Sequence, residues 1–153
     1  MPPCLNAPMG SEMVYLDRVE AEWPLRTQLP IGTRVPLHCT ASGKLYLSSL
    51  SATQKRRLVG VLPLERHTAK TITGTEDLLA ELGHIRDSGI GTDDEEFIDG
   101  MTAVAVPLLD NKGRVVGTLA YHAPSVRLNI EAALGHVPVM RLAAEALSAE
   151  RSD

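Results

Sequence analysis

The pattern of apolar and polar positions predicts extended segments at the start of the chain, helices in its middle, and a hairpin followed by a helix at its end. Residues 12–20 alternate apolar and polar side chains, which is typical of a half-buried β-strand. Residues 5–7 form the stub of an earlier strand across a turn at residues 9–11, so a hairpin is expected there. Residues 26–35 predict a connecting loop with short extended pieces.

In the middle of the chain, apolar residues and capping signals predict three helices. Residues 43–50 predict a short apolar helix. A capping box at Ser51, completed by a Gln three residues on, predicts that a second helix begins there and runs to about residue 62. Residues 73–76 repeat a capping signature before a clearly amphipathic third helix, and Gly89 predicts its end.

The C-terminal part of the chain predicts a hairpin followed by a helix. Two β-rich runs, residues 101–109 and 114–122, are joined by Asp-Asn-Lys-Gly, a strong turn signal. Residues 127–149 predict a helix, and this element order favours one antiparallel sheet with helices, an α+β fold, over a doubly wound parallel sheet. The candidate packing positions of that helix are Leu134, Val137, Met140, Leu142, Ala143 and Leu147.

Composition narrows the classes of function. The 153 residues suit a single domain, residues 1–153, and carry a formal net charge of −4. Aromatic residues make up only 3%, so the interleaved aromatic and basic residues of a single-stranded nucleic-acid binder are missing. The densest basic cluster, residues 55–57, is interpreted as the solvated side of a helix, and this chain is not expected to contact DNA itself.

Targeting signals and cysteine frameworks are also missing. No apolar stretch approaches the ~20 residues that a membrane span needs, and no signal peptide precedes the first strand. The two cysteines, Cys4 and Cys39, form no disulfide framework. A cytoplasmic protein with reduced thiols and no membrane partner is expected.

The chain shows no catalytic motif and no metal-ligand spacing. The five histidines are far apart in sequence and are interpreted as isolated, although a metal site assembled in space stays open. Cys39 is interpreted as a small buried thiol rather than a nucleophile. The acidic run at residues 93–96 could serve acid/base chemistry or a cation, but a solvated turn is preferred, with one carboxylate at its start able to point inward.

One stretch, residues 36–44, suggests ligand binding. Thr40, Ala41, Ser42 and Gly43 carry little side-chain bulk and precede an apolar helical run. Backbone N–H groups at such a helix entry can approach a small anion closely. An ordinary loop-to-helix junction is the alternative interpretation.

Two long segments, residues 29–44 and 93–100, resemble the effector-binding domain of IclR-type bacterial transcriptional regulators, and the resemblance spans about residues 10–149. It implies a GAF- and profilin-like fold, a curved antiparallel sheet flanked by helices. It also implies a homodimer or homotetramer that binds a small organic acid or aromatic metabolite, with no cofactor, no metal and no catalytic residue. The family's winged helix-turn-helix and the domain's first helix have no counterpart in this sequence, so DNA binding is expected only through a winged-helix domain outside it.

The resemblance also implies an effector pocket. Backbone N–H groups of the helix entry would face an anion, with a carboxylate opposite and two hairpin strands contributing the remaining positions. Family members often carry a cysteine or serine where three of these strand residues stand, so a less polar pocket is expected. The implied residues are Ala41, Ser42, Asp93, Ala103, Ala120 and His122.

Two other functions remain open from the residues alone. The chain could be a stand-alone oligomerisation module, or, less favoured, a small enzyme that uses a cysteine or a carboxylate. The absence of catalytic motifs favours a metabolite-sensing regulatory domain.

Overall fold

Six antiparallel strands form one curved sheet in the computed structural model, which describes residues 4–18 and 32–151. The strands are β1 (Cys4–Met9), β2 (Glu12–Arg18), β3 (Arg34–Pro36), β4 (Gly91–Asp94), β5 (Met101–Leu109) and β6 (Val115–Pro124). Their order across the sheet is β3-β2-β1-β6-β5-β4. The expected α+β fold with a curved antiparallel sheet is confirmed.

Both predicted hairpins are present. β1 and β2 pair around a turn at Gly10, whose φ of 63° is a left-handed conformation that favours glycine. β5 and β6 pair over their whole lengths, and the Asp110 side chain accepts backbone N–H bonds from Lys112 and Arg114 in the turn. The expected connecting loop contains β3, and residues 19–31 lie outside the described residues.

The middle of the chain is helical, as predicted. The helices are α1 (Ala41–Ser49), α2 (Ala52–Val61) and α3 (Thr75–Ser88). Ser51 caps α2 by accepting the Gln54 N–H at 3.2 Å, and Gly89 ends α3 in the left-handed conformation. The side-chain capping of α3 predicted from residues 73–76 is wrong, because Gly74 occupies the N-cap position and offers no side chain.

The C-terminal helix is interrupted, unlike the prediction. It consists of α4 (Ile130–Leu134) and α5 (Val137–Arg151). Between them, the N–H groups of Gly135 and His136 bond carbonyls three residues back, which tightens the turn and ends α4. On α5, Leu142 points away from the sheet and is 68% exposed, and Leu134, the last residue of α4, is 38% exposed, so the packing roles predicted for both are wrong.

Helices cover both faces of the sheet. On one face, α5 packs against the even-numbered residues of β5 and the odd-numbered residues of β6, including Val104, Val106 and Leu119. On the other face, α1 lies directly on β4, β5 and β6, and α3 packs on α1. Among the described residues, no helix has the length and apolar character needed to cross a membrane.

A buried ion pair fastens the first helix to the acidic run. Lys44 of α1 is fully buried, and its Nζ lies 2.9 Å from both carboxylate oxygens of Glu96. A third contact of 3.0 Å reaches Oε2 of Glu81 on α3. Two carboxylates therefore neutralise a lysine that would otherwise be a buried, unpaired charge.

Replacing Lys44 with Met should lower the free energy of unfolding by about 3–5 kcal/mol, because Glu96 is left as an uncompensated buried charge. Urea unfolding would measure the loss. The double variant Lys44→Met, Glu96→Gln should recover part of it, since it removes both charges.

Lys70→Met is the matched control, because Lys70 makes exposed ion pairs with Glu95 and Asp94 on the same acidic run. Its stability should change little. Equal stability of the Lys44→Met and Lys70→Met variants would contradict a structural role for the buried pair.

Candidate functional site

Three of the six expected site residues stand side by side across three strands. In the register of the sheet, Asp93 of β4 lies opposite Ala103 of β5, and Ala103 lies opposite His122 of β6. Directly opposite residues point to the same face, so all three face the layer of α1. With strands about 4.8 Å apart, the backbones of Asp93 and His122 are about 10 Å apart, and only a methyl group stands between them.

A second row of small residues lets α1 approach the sheet closely. Gly91, Ala105, Ala120 and Cys4 are register neighbours on the same face. A Cβ atom on Gly91 would overlap the carbonyl of Ala41, so α1 seats directly on the strand backbone. Two expected site residues, Ala41 and Ala120, are fully buried here, and their small size serves this packing.

The N-terminus of α1 lies against this face of the sheet and carries backbone N–H groups without intrahelical acceptors. The Thr40 side chain caps the helix by accepting the Gly43 N–H at 3.0 Å. The N–H groups of Ala41 and Ser42 belong to the first turn and have no intrahelical acceptor. The Ser42 hydroxyl accepts the Asn6 amide of β1 at 3.3 Å, which fixes the helix start against the sheet.

One polar group on this face was not foreseen from the sequence. Thr118 of β6 pairs with Asn6 of β1 in the register and is fully buried. Among the described side chains, its Oγ1 is the buried polar atom for which no hydrogen-bond partner is found. Buried hydroxyls are normally satisfied, so Thr118 marks a place where a polar partner could bind.

Asp93 is buried, and so is Glu96, which corrects the expectation of a solvated acidic turn. The Oδ1 atom of Asp93 accepts the backbone N–H of Glu96 at 2.8 Å. Burial raises the pKa of the Asp93 carboxyl to about 7, and the nearby Glu96 carboxylate adds to the rise. Only the middle of the run, Asp94 and Glu95, behaves as expected and pairs with Lys70 at the surface.

His122 supplies a neutral imidazole at the other end of the row. Its side chain is half-buried, and desolvation lowers its pKa to about 4. The ring is therefore uncharged at neutral pH and can donate one hydrogen bond and accept another.

The cysteine chemistry that the sequence left open is disfavoured by the structure. Cys39 is fully buried, and burial, aided by the carboxylates of Asp93 and Glu96, raises the pKa of its thiol to about 12. A nucleophilic cysteine needs the opposite shift. The interpretation of Cys39 as a buried thiol is confirmed, and both described cysteines are free.

The histidines are less isolated than the sequence indicated. A ring nitrogen of His38, a ring nitrogen of His67 and the Sγ atom of Cys39 lie within 4.8 Å of one another. The two histidines are 29 positions apart, so spacing along the chain gave no signal of this cluster.

A concave surface lies beside α5, at the part of β5 that β4 does not cover. It is an open groove of about 440 Å³. Its position beside a different helix separates it from the row that contains His122. The groove is lined by Gly89, Pro107, Leu109, Asp110, Arg141, Ala144, Glu145 and Ser148.

A curved antiparallel sheet that seats a helix N-terminus against small residues is the architecture of an effector-binding domain of bacterial transcriptional regulators. The family profile described as bacterial transcriptional regulator IclR C-terminal matches residues 5–149. The chain belongs to this family, as the resemblance in the sequence implied.

Curated relatives carry the names of regulators. The probable transcriptional regulator SauR of Cupriavidus necator is 49% identical over 136 residues, which is 89% of this chain and 54% of that protein. The HTH-type transcriptional regulator KdgR of Escherichia coli is 33% identical over 146 residues, which is 95% of this chain and 56% of that protein. The chain thus spans about half the length of these relatives.

Solved structures agree with the sequence comparison. The C-terminal domain of E. coli KdgR has a TM-score of 0.85 and 30% identity, covering 99% of this chain and 87% of that one. The inducer-binding domain of PobR from Acinetobacter, a double mutant in complex with 3-hydroxybenzoic acid, has a TM-score of 0.88 and 26% identity. That match covers 97% of this chain and 87% of the PobR chain.

Asp93→Asn should make stability less sensitive to pH. Since the Asp93 pKa rises from 3.8 to about 7 on folding, the folded state binds this proton more tightly. The stabilisation of the folded state by this proton is therefore complete below about pH 4 and is lost as the pH rises through about 7. Asn keeps the acceptor for the Glu96 N–H but cannot ionise, so the variant should gain stability relative to the wild type between about pH 5 and about pH 8, measured by urea unfolding.

Asp110→Asn is a control of opposite sign. The backbone N–H of Arg114 holds the pKa of Asp110 below its usual range, so this variant should lose stability relative to the wild type at neutral pH. If the difference in the free energy of unfolding between the wild type and Asp93→Asn is the same at about pH 5 and at about pH 8, an inward-facing, protonatable Asp93 is contradicted.

Proposed function

We propose that this chain is the small-molecule-sensing domain of a bacterial transcriptional regulator. Its effector is a small organic acid, aliphatic or aromatic, held on the sheet face beside the N-terminus of α1. The observation that carries this proposal is the row in which Ala103 separates the carboxyl of Asp93 from the imidazole of His122. Membership of the IclR family supports it.

The groups around this row suit a carboxylate. The N–H groups of Ala41 and Ser42 and the partial positive charge of the α1 N-terminus favour a negative group. The neutral imidazole of His122 can donate a further hydrogen bond without adding charge. Asp93, with its pKa near neutrality, can hold a proton and donate it to a ligand oxygen.

The body of the ligand would lie on an apolar surface. Ala103 contributes only a methyl group to this face, where family members often carry a more polar side chain. An apolar or aromatic body is therefore better accommodated than a sugar-like one. The PobR domain, whose structure contains 3-hydroxybenzoic acid, supports an acid of this kind as the first to test.

Coupling to DNA would follow from two arrangements of the full-length protein. A ligand that binds one arrangement more tightly shifts the population toward it. In this proposal the shift alters DNA binding by a winged-helix domain outside the present sequence, in the cytoplasm, where the two free cysteines stay reduced. The chain itself acts as a sensor and not as an enzyme, because its described cysteines are buried with raised pKa values.

A role in self-association is favoured by one further observation. On α5, Val139 is 70% exposed and Leu142 is 68% exposed, three positions apart and therefore on one side of the helix. Two such side chains next to each other on a surface are suited to an apolar contact with another copy. We infer that this side of α5 contributes to the homodimer or homotetramer expected of the family.

Ligand binding should depend on the row of residues beneath α1. The wild-type chain should bind at least one member of a panel of aliphatic and aromatic carboxylic acids that includes 3-hydroxybenzoate. In calorimetric titrations, His122→Leu should lower the affinity for the best ligand by about ten-fold or more, because one hydrogen bond to a charged group is lost. Ala103→Leu should abolish binding, because it fills the space between Asp93 and His122.

His84→Leu is the matched control, since His84 is exposed on α3, and circular dichroism would show that each variant is folded. The control should bind as the wild type does. Unchanged affinity in a folded Ala103→Leu variant would contradict the proposed site, and binding of no acid by the folded wild type would contradict the class of ligand.

Self-association should depend on α5. The variant Val139→Glu, Leu142→Glu should shift sedimentation toward the monomer, because the charges would oppose burial of this surface. Val126→Glu is the control, since Val126 is 93% exposed and lies away from α5. A double variant that sediments as the wild type does would exclude this surface as the contact.

A further inference from the structure

We propose that His38, Cys39 and His67 form a binding site for a divalent transition-metal ion, with zinc as the best match. The site lies at the junction of β3 and α1, next to Thr40, which caps α1. It does not depend on the proposed effector site, and neither proposal requires the other.

The ligand atoms converge from two separate segments. One ring nitrogen of each histidine and the Sγ atom of Cys39 lie within 4.8 Å of one another. Around tetrahedral zinc, with Zn–S of about 2.3 Å and Zn–N of about 2.0–2.1 Å, neighbouring ligand atoms lie about 3.3–3.7 Å apart. The cluster therefore needs to contract by at most about 1.5 Å, and exposed His67 has room to move its side chain.

Hydrogen bonds already hold the segment that carries His67. Its backbone N–H donates to the Thr71 hydroxyl at 3.0 Å, and that hydroxyl donates to the carbonyl of Glu96 at 2.6 Å. The neighbouring Thr68 hydroxyl donates to the carbonyl of Glu95 at 2.6 Å. This part of the chain is thereby fastened to the same acidic run that Lys44 anchors from the other side.

The orientation of the imidazoles also suits a metal. The Nε2 atom of His38 lies 2.8 Å from the carbonyl oxygen of Glu65, which can only accept, so Nε2 carries the proton. The Nδ1 atom is then left with its lone pair, and a backbone carbonyl on the other nitrogen is the usual outer partner of a metal-bound histidine. The ring of His67 packs edge-on against Phe97, with ring centres 5.2 Å apart.

The chemistry of the three donors favours borderline-soft ions. Two imidazoles and one thiolate suit zinc or cobalt better than magnesium or calcium, which prefer oxygen. Binding replaces the S–H bond of Cys39 with a sulfur–metal bond, and the proton passes to solvent. With three protein ligands, a water molecule would take the fourth position.

Cobalt(II) titration of the metal-free chain would test the site, because cobalt replaces zinc and reports its ligands by absorption. We expect one ion per chain, a sulfur-to-cobalt charge-transfer band in the near ultraviolet, and loss of both visible and ultraviolet bands when zinc is added. His67→Ala should weaken binding by at least about ten-fold. Cys39→Ser should remove the charge-transfer band.

His84→Ala is the control, because His84 is also exposed but lies on α3, and it should bind as the wild type does. His67 is exposed, so its replacement leaves the fold intact even if the buried Cys39 does not tolerate serine. The proposal is overturned if the wild type shows no charge-transfer band. It is also overturned if His67→Ala binds cobalt as tightly as His84→Ala does.

Discussion

The ion pair between Lys44 and Glu96 is the contact on which the arrangement of this domain depends. It joins the first helix to the loop that follows β4, and Glu81 brings the third helix to the same ammonium group. Breaking such a buried pair leaves an unpaired charge, so separating the helix from the loop is unfavourable in free energy. The start of α1 and the acidic run are thus held in fixed positions, and Asp93, the first residue of that run, faces the layer of α1.

Small residues impose the second constraint. Because Gly91, Ala105 and Ala120 offer almost no bulk, α1 seats directly on the strands, and its N-terminus is brought close to the sheet. Two residues from Ala105 along β5, at Ala103, the same lack of bulk is flanked by a carboxyl and an imidazole. Close packing and the candidate site are therefore consequences of one pattern of small side chains.

Local signals made much of the fold predictable. The turn at Asp110, the cap at Ser51 and the left-handed Gly89 act within a few residues, and each predicted its element correctly. Cys39 was also interpreted correctly as a buried thiol, because free cysteine is among the most often buried residue types. The break before α5 was missed, although Gly135, the C-cap of α4, and Pro138, in the first turn of α5, are residue types that mark helix ends and helix starts.

What the sequence could not predict depends on residues distant along the chain. The partners of Lys44 are 37 and 52 positions away, and the two histidines near Cys39 come from segments joined only by folding. The unsatisfied hydroxyl of Thr118 is buried where β6 pairs with β1. The spacing of residues along the chain does not predict that pairing. Buried charges and assembled clusters are properties of the tertiary structure.

The central claim is that an organic acid binds on the sheet face beneath the N-terminus of α1. Backbone amide NMR spectra of the labelled chain, recorded during titration with the best acid of the panel, test it most directly. We expect the largest shift changes at Ser42, Ala103 and His122. Shift changes concentrated instead at Arg141 and Ser148, in the groove beside α5, would contradict it.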